Sequence, residues 1–150
     1  MNKKIGIAND HAGYELKELL TGYLSTKGYE VFDFGCNSPE SCDYPDYAHP
    51  LADALEAGEF PRAVAICGSG EGMAITLNKH QKVRASLCWL PEIAAITRRH
   101  NDSNVLVLPS RFIDTETAIA ILDTWLSTAF DKDEPRHRRR IAKIPVREIE

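Results

Sequence analysis

The 150-residue sequence lacks any apolar run long enough to cross a membrane, and the short run after Met1-Asn2-Lys3-Lys4 is too brief for the core of a secretion signal. A cytoplasmic protein without membrane contact is expected. Its four cysteines, at 36, 42, 67 and 88, form no Cys-x-x-Cys pair and no dense framework. That spacing argues for reduced thiols and against structural zinc. Internal repeats, linkers and low-complexity segments are also missing. With 43% hydrophobic and 27% charged residues the chain has enough apolar content for a core, and residues 1–150 are expected to form one domain.

The stretch from Ala65 to Ala74 is the most informative. An apolar run stops at Cys67, passes through Gly68, Gly70 and Gly72 with Ser69 and Glu71 between them, and resumes as a helix-like sequence. This reads as strand, anion-binding loop, helix. Glycines bring backbone N–H groups close to an anion, and the helix adds its partly positive N-terminus. A thiol there should ionise more easily than a free one. A tight turn with a buried, inert cysteine is the simpler reading of the same residues. The loop lacks the Lys-Ser/Thr ending of a Walker loop, and its Gly-x-Gly-x-Gly spacing is not the dinucleotide pattern. A cysteine phosphatase needs arginine six positions after its nucleophile, where this chain has Met73. A thiol acting as general base or nucleophile beside an oxyanion cradle remains open.

Apolar periodicity gives five β-then-α units. Strands are predicted at 5–8, 30–34, 62–67, 84–89 and 105–108, with a first helix after His11 carrying Leu16, Leu19, Leu20, Tyr23 and Leu24, and further helices from about 45, 73, 91 and 115. Asn101 stands where the fourth helix should stop, and Asp114 is placed to cap the fifth. Such a chain predicts a doubly wound, three-layer α/β/α fold with a five-stranded parallel sheet and a helical C-terminal tail. With strand order 2-1-3-4-5, the topological switch falls between the first and third strands, where ligands bind beyond the carboxyl ends. Those ends carry Asp10-His11 and the Cys67 loop, so topology and local chemistry select the same crevice.

The net charge of −4 conceals a basic tail: residues 136–147 hold six Lys/Arg and no acid. Arg136 and Arg140 are spaced i, i+4, so one helix face offers two guanidinium forks to a phosphate, or else to solvent or a partner subunit. The acidic body, and the lack of aromatics interleaved with the basic residues, argue against nucleic acid.

Taken in order, Asp10-His11-Ala12-Gly13, Asp43-Tyr44-Pro45-Asp46-Tyr47-Ala48, Cys67-Gly68-Ser69-Gly70-x-Gly72, Asn78-Lys79, Arg84-Ala85, Arg99-His100-Asn101-Asp102-x-Asn104 and Arg136-His137 resemble the type B ribose-5-phosphate isomerase family over nearly the whole chain. That resemblance implies a Rossmann-like fold and an aldose–ketose isomerase working without metal or cofactor. It also implies a homodimer or dimer of dimers with sites built from two subunits. Ribose 5-phosphate and ribulose 5-phosphate are the implied substrate pair. Allose 6-phosphate, galactose 6-phosphate or a tetrose phosphate are alternatives, and a non-catalytic sugar-phosphate sensor is a further one. Cys67 is then the base that moves a proton between C1 and C2, with Ser69 and the loop of Gly68, Gly70, Glu71 and Gly72 holding the enediolate. Asp10 and His100 are implied in ring opening and proton shuttling, Tyr44 and Asn101 in binding hydroxyls. His11, Arg111, Arg136 and Arg140 fall on phosphate-binding positions, some reaching over from the neighbouring subunit. The chain departs from the pattern at the acidic approach Asp131–Pro135 and at Trp89.

Overall fold

Alternation of apolar side chains along the strands sets the architecture. In the computed structural model, which describes residues 2–147, five parallel strands form one sheet. They are β1 (Lys4–Asn9), β2 (Glu30–Asp33), β3 (Arg62–Cys67), β4 (Ala85–Leu87) and β5 (Val105–Pro109). Successive side chains point to opposite faces. Ala63, Ala65, Cys67, Val105 and Val107 pack beneath α2 (Pro45–Glu56) and α3 (Glu71–Leu77), which contribute Leu51, Leu55, Met73 and Leu77. Ile5, Ile7, Val64, Ile66, Leu106 and Leu108 meet Leu20, Leu24, Ala94, Leu122 and Trp125 of α1 (Tyr14–Thr26), α4 (Pro91–Asn101) and α5 (Thr115–Ser127). Burial on both faces is why β3 and β5 read as continuous apolar runs.

The expected three-layer α/β/α class is the observed one, but the order of the outer strands is not 2-1-3-4-5. It is β2-β1-β3-β5-β4. The reason lies in composition: all five residues of β5 are buried, whereas the three residues of β4 are only half-buried, which suits an edge. Helix α3 therefore carries the chain past the place of β5, and α4 returns it on the opposite face. The β1–β3 switch is unaffected, because β3 pairs with β1 on one side and β5 on the other.

Helix boundaries follow local chemistry. The Asp114 carboxylate accepts the Thr117 N–H at 2.7 Å and caps α5, as expected. Helix α4 runs through Asn101, and the left-handed residue that stops it is Asp102 (φ 46°), not Asn101. The Asp102 carboxylate is held there by Arg98 at 2.9 Å and Arg84 at 3.5 Å. A last helix, α6 (Pro135–Ala142), buries no residue and is capped by the Glu134 side chain. Its His137 ring stacks on His100 of α4, with centroids 4.5 Å apart.

Several residues of the ordered motif set are structural. The Asn78 amide brackets Ala85, accepting its N–H at 2.8 Å and donating to its carbonyl at 2.9 Å. Asn104 accepts the Arg84 N–H at 2.7 Å and donates to the Lys82 carbonyl at 2.8 Å. The Asn78 bonds fasten the start of β4 to the end of α3, and the Asn104 bonds fasten the approach to β4 to the segment before β5.

Candidate active site

A parallel sheet delivers the carboxyl ends of all its strands to one edge, and there the chain gathers its reactive groups. Beyond β1, the Asp10 N–H donates to the Ile66 carbonyl at 3.1 Å while its carboxylate accepts the Gly13 N–H at 3.1 Å. The carboxylate, almost buried, is thereby fixed beside the end of β3. His11 follows in a 3₁₀ turn (His11–Gly13), and its Nδ1 accepts the Cys42 N–H at 3.2 Å. When neutral, that ring carries its proton on Nε2.

The loop after β3 is shaped by what its glycines touch. Gly70 has φ +78°, a conformation that strains any L side chain, and a Cβ there would run into the end of the Leu87 side chain, which would have to move. Ser69 is exposed at the head of α3, where its Oγ accepts the Glu71 N–H at 3.2 Å. Tyr44, immediately before α2, lays its ring against Gly72, and Arg111 lays its side chain over Gly68. Two further bonds clamp this assembly from β5: the Ser110 N–H donates to the Cys67 carbonyl at 2.9 Å, and the Arg111 N–H donates to the Gly68 carbonyl at 3.0 Å.

Cys67 sits at the centre of these groups with 3% of its surface exposed. Its thiol does not ionise more easily than a free one, which corrects the expectation from the loop. Burial, the largest influence, pushes it up; the Met73 N–H pulls it down, the Asp10 charge raises it again, and the Gly70 and Gly72 N–H groups pull it down. Helix-end donors thus face the sulfur as expected, but removal from water outweighs them.

The remaining site candidates lie elsewhere. His100 and Asn101 end α4 just before Val105, which pairs with Ala63 and Ala85 at the starts of their strands. Cys67 pairs with Pro109, four residues further along the sheet and so about 13 Å away. Arg136 and Arg140 are exposed on α6, which packs by the His137–His100 stack at that same distant edge. One chain therefore brings together Asp10, His11, Tyr44, Cys67, Ser69 and Arg111 with the glycine loop, and holds His100, Asn101, Arg136 and Arg140 at the opposite edge. The Arg136 Nε is engaged by Glu134 at 3.0 Å, a consequence of the acidic approach to α6.

Two contributors carried no assigned role in the sequence reading. Ser110 Oγ lies 3.0 Å from the Ala12 carbonyl and 3.2 Å from that of Cys67, tying the ends of β1 and β3 together. Placing β5 beside β3 would have revealed it. Cys42, which holds His11, had no signal beyond its position in a polar loop.

The chain belongs to the ribose/galactose isomerase family, whose sequence profile matches residues 5–144. Within that family it is similar to ribose-5-phosphate isomerase B of Escherichia coli K12, with 40% identity over 142 residues covering 95% of this chain and 94% of that one. Among solved structures, a ribose 5-phosphate isomerase of Thermotoga maritima shares 48% identity and a TM-score of 0.93, covering 97% of this chain and 99% of that chain. Ribose-5-phosphate isomerase B of Mycoplasma genitalium, solved with bound ribulose 5-phosphate, shares 38% identity and a TM-score of 0.88, covering 94% and 93%.

Proposed function

We propose that this protein interconverts ribose 5-phosphate and ribulose 5-phosphate through an enediolate, with Cys67 as the base. The observation that carries this reading is the buried Cys67 thiol facing backbone N–H groups at the head of α3, in a chain whose relatives over nearly its full length are ribose-5-phosphate isomerases. In the forward direction the Cys67 thiolate takes the proton from C2 of the open-chain aldose and returns it to C1. Negative charge develops on the sugar oxygens, and N–H donors fixed at the loop are placed to hold it without reorganising. Raising the thiol makes its thiolate a stronger base towards a C–H proton while lowering the fraction ionised in the empty site.

Asp10 and His100 take the ring-opening and oxygen-to-oxygen proton transfers, and Tyr44 and Asn101 bind hydroxyls. His11, Arg111, Arg136 and Arg140 hold the phosphate, whose charge guanidinium forks match. Because His100, Asn101, Arg136 and Arg140 lie at the wrong edge of their own sheet, a second copy supplies them, making the working unit a homodimer. An exposed apolar groove of about 540 Å³ beside Ser69 and Glu71, lined by Leu87, Trp89, Leu90, Pro109 and Phe112, supports burial of this region against another surface.

A panel of purified sugar phosphates tests the substrate. The expected result is the highest kcat/KM with ribose 5-phosphate; a higher value with allose 6-phosphate or galactose 6-phosphate would reassign the sugar while keeping the chemistry.

A further inference from the structure

At the edge of the sheet away from Cys67, the last turns of α2 meet the turn that follows α3. His80 in that turn points its Nδ1 at two carboxylates of α2, 3.2 Å from Glu56 Oε1 and 3.6 Å from Asp53 Oδ1. One ligand atom from each of the three residues lies within 4.8 Å of the other two. Asp53 and Glu56 are spaced i, i+3 and so share a helix face. His80 is folded back over them by the Leu77 carbonyl, which accepts its N–H at 3.1 Å.

The atoms on the outer side of this group are engaged as well. His80 Nε2 lies 2.7 Å from Nδ1 of His49, one helical turn before Asp53, and Glu56 Oε2 accepts the Lys82 N–H at 3.0 Å. Ligating histidines and carboxylates are held in this way, by a partner on the atom that does not face the metal. The spacing also fits: two ligands at about 2.1 Å from a tetrahedral ion are about 3.4 Å apart, between the two separations at His80 Nδ1.

We propose that Asp53, Glu56 and His80 bind a first-row divalent cation, zinc being the best match to one imidazole and two carboxylates, with His49 orienting His80. Water completes the coordination. The ion clips the end of α2 to the segment between α3 and β4, so its role is structural and separate from the isomerase reading. The cysteine spacing that argued against zinc has no bearing on this group, because none of its ligands is sulfur.

Calorimetric titration of the full-length, metal-free protein with zinc tests the proposal, with cobalt absorption as a second readout. The expected result is one site per chain and cobalt bands without thiolate charge transfer. Asp53→Asn and His80→Ala should each weaken binding at least tenfold, and His49→Ala by about tenfold. Asp53 is largely exposed, so its variant tests the site without threatening the fold. Cys42→Ser should leave zinc affinity unchanged, and kcat/KM of the metal-free Asp53→Asn, His80→Ala and His49→Ala variants should match the parent. No binding, binding untouched in both Asp53→Asn and His80→Ala, or thiolate bands that vanish in Cys42→Ser would overturn the proposal. The first outcome would leave His80 as an ordinary hydrogen-bond partner of Glu56.

Discussion

The ring of Tyr44 rests on the backbone of Gly72, so closely that a Cβ at that glycine would stand 2.6 Å from Cζ. A residue at the start of α2 is thereby registered against the first turn of α3. Gly72→Ala should push the ring aside and reduce kcat/KM by about 10²-fold, the effect of an ångström-scale misplacement in a site. The circular dichroism spectrum should not change, because Tyr44 is 40% exposed and anchors no core. Unchanged kcat/KM in Gly72→Ala would remove Tyr44 from the substrate site.

The separation of His100 from Cys67 along the sheet makes a sharper prediction. Cys67→Ala and His100→Ala should each be nearly inactive, but mixing the two proteins and allowing subunits to exchange should restore about a quarter of the parent activity. Half of the dimers formed are then mixed, and in a two-fold symmetric pair each of these holds one intact site and one doubly damaged site. A mixture as inactive as its components would show that both residues serve one chain.

Alkaline pH should destabilise the protein through its buried thiols. Cys88 is fully buried at the end of β4 and is pushed up from 9.0 to about 12 by burial. In the unfolded chain the same thiol ionises near its ordinary value, so the folded state is favoured below that value and loses the advantage as pH rises towards the folded one. By pH 10, one unit above 9.0, this group alone should remove about 1.4 kcal/mol. Urea denaturation at pH 8 and pH 10 should show a smaller alkaline loss in Cys88→Ala than in the parent. Equal losses would mean that the thiol is not held neutral by the fold.

Much of this molecule was readable before its structure, for identifiable reasons. The five β/α units followed from runs such as Val105–Leu108 and from caps such as Asp114, where local chemistry and tertiary packing agree. The crevice followed from the β1–β3 switch, which depends on connections and not on the outer strands. The place of β5 was missed because strand order reflects competition for the most buried slot; full burial of β5 against half-burial of β4 decided it. The thiol was misjudged because a glycine loop announces its N–H donors in the sequence, whereas the burial that outweighs them arises only when Cys67 joins the core it shares with Met73, Val105 and Val107. His100 and Asn101 were legible as candidates, but their distance from Cys67 became visible only once α4 was seen to run from one edge of the sheet to the other.

The central claim is that Cys67 moves the proton, and the isomerisation rate of ribose 5-phosphate by a folded Cys67→Ala variant tests it most directly. The predicted result is a loss of about 10² to 10⁴-fold in kcat, the worth of a positioned base, with sugar phosphate still bound. Turnover near that of the parent would contradict it and return Cys67 to the status of a buried thiol at the end of a strand.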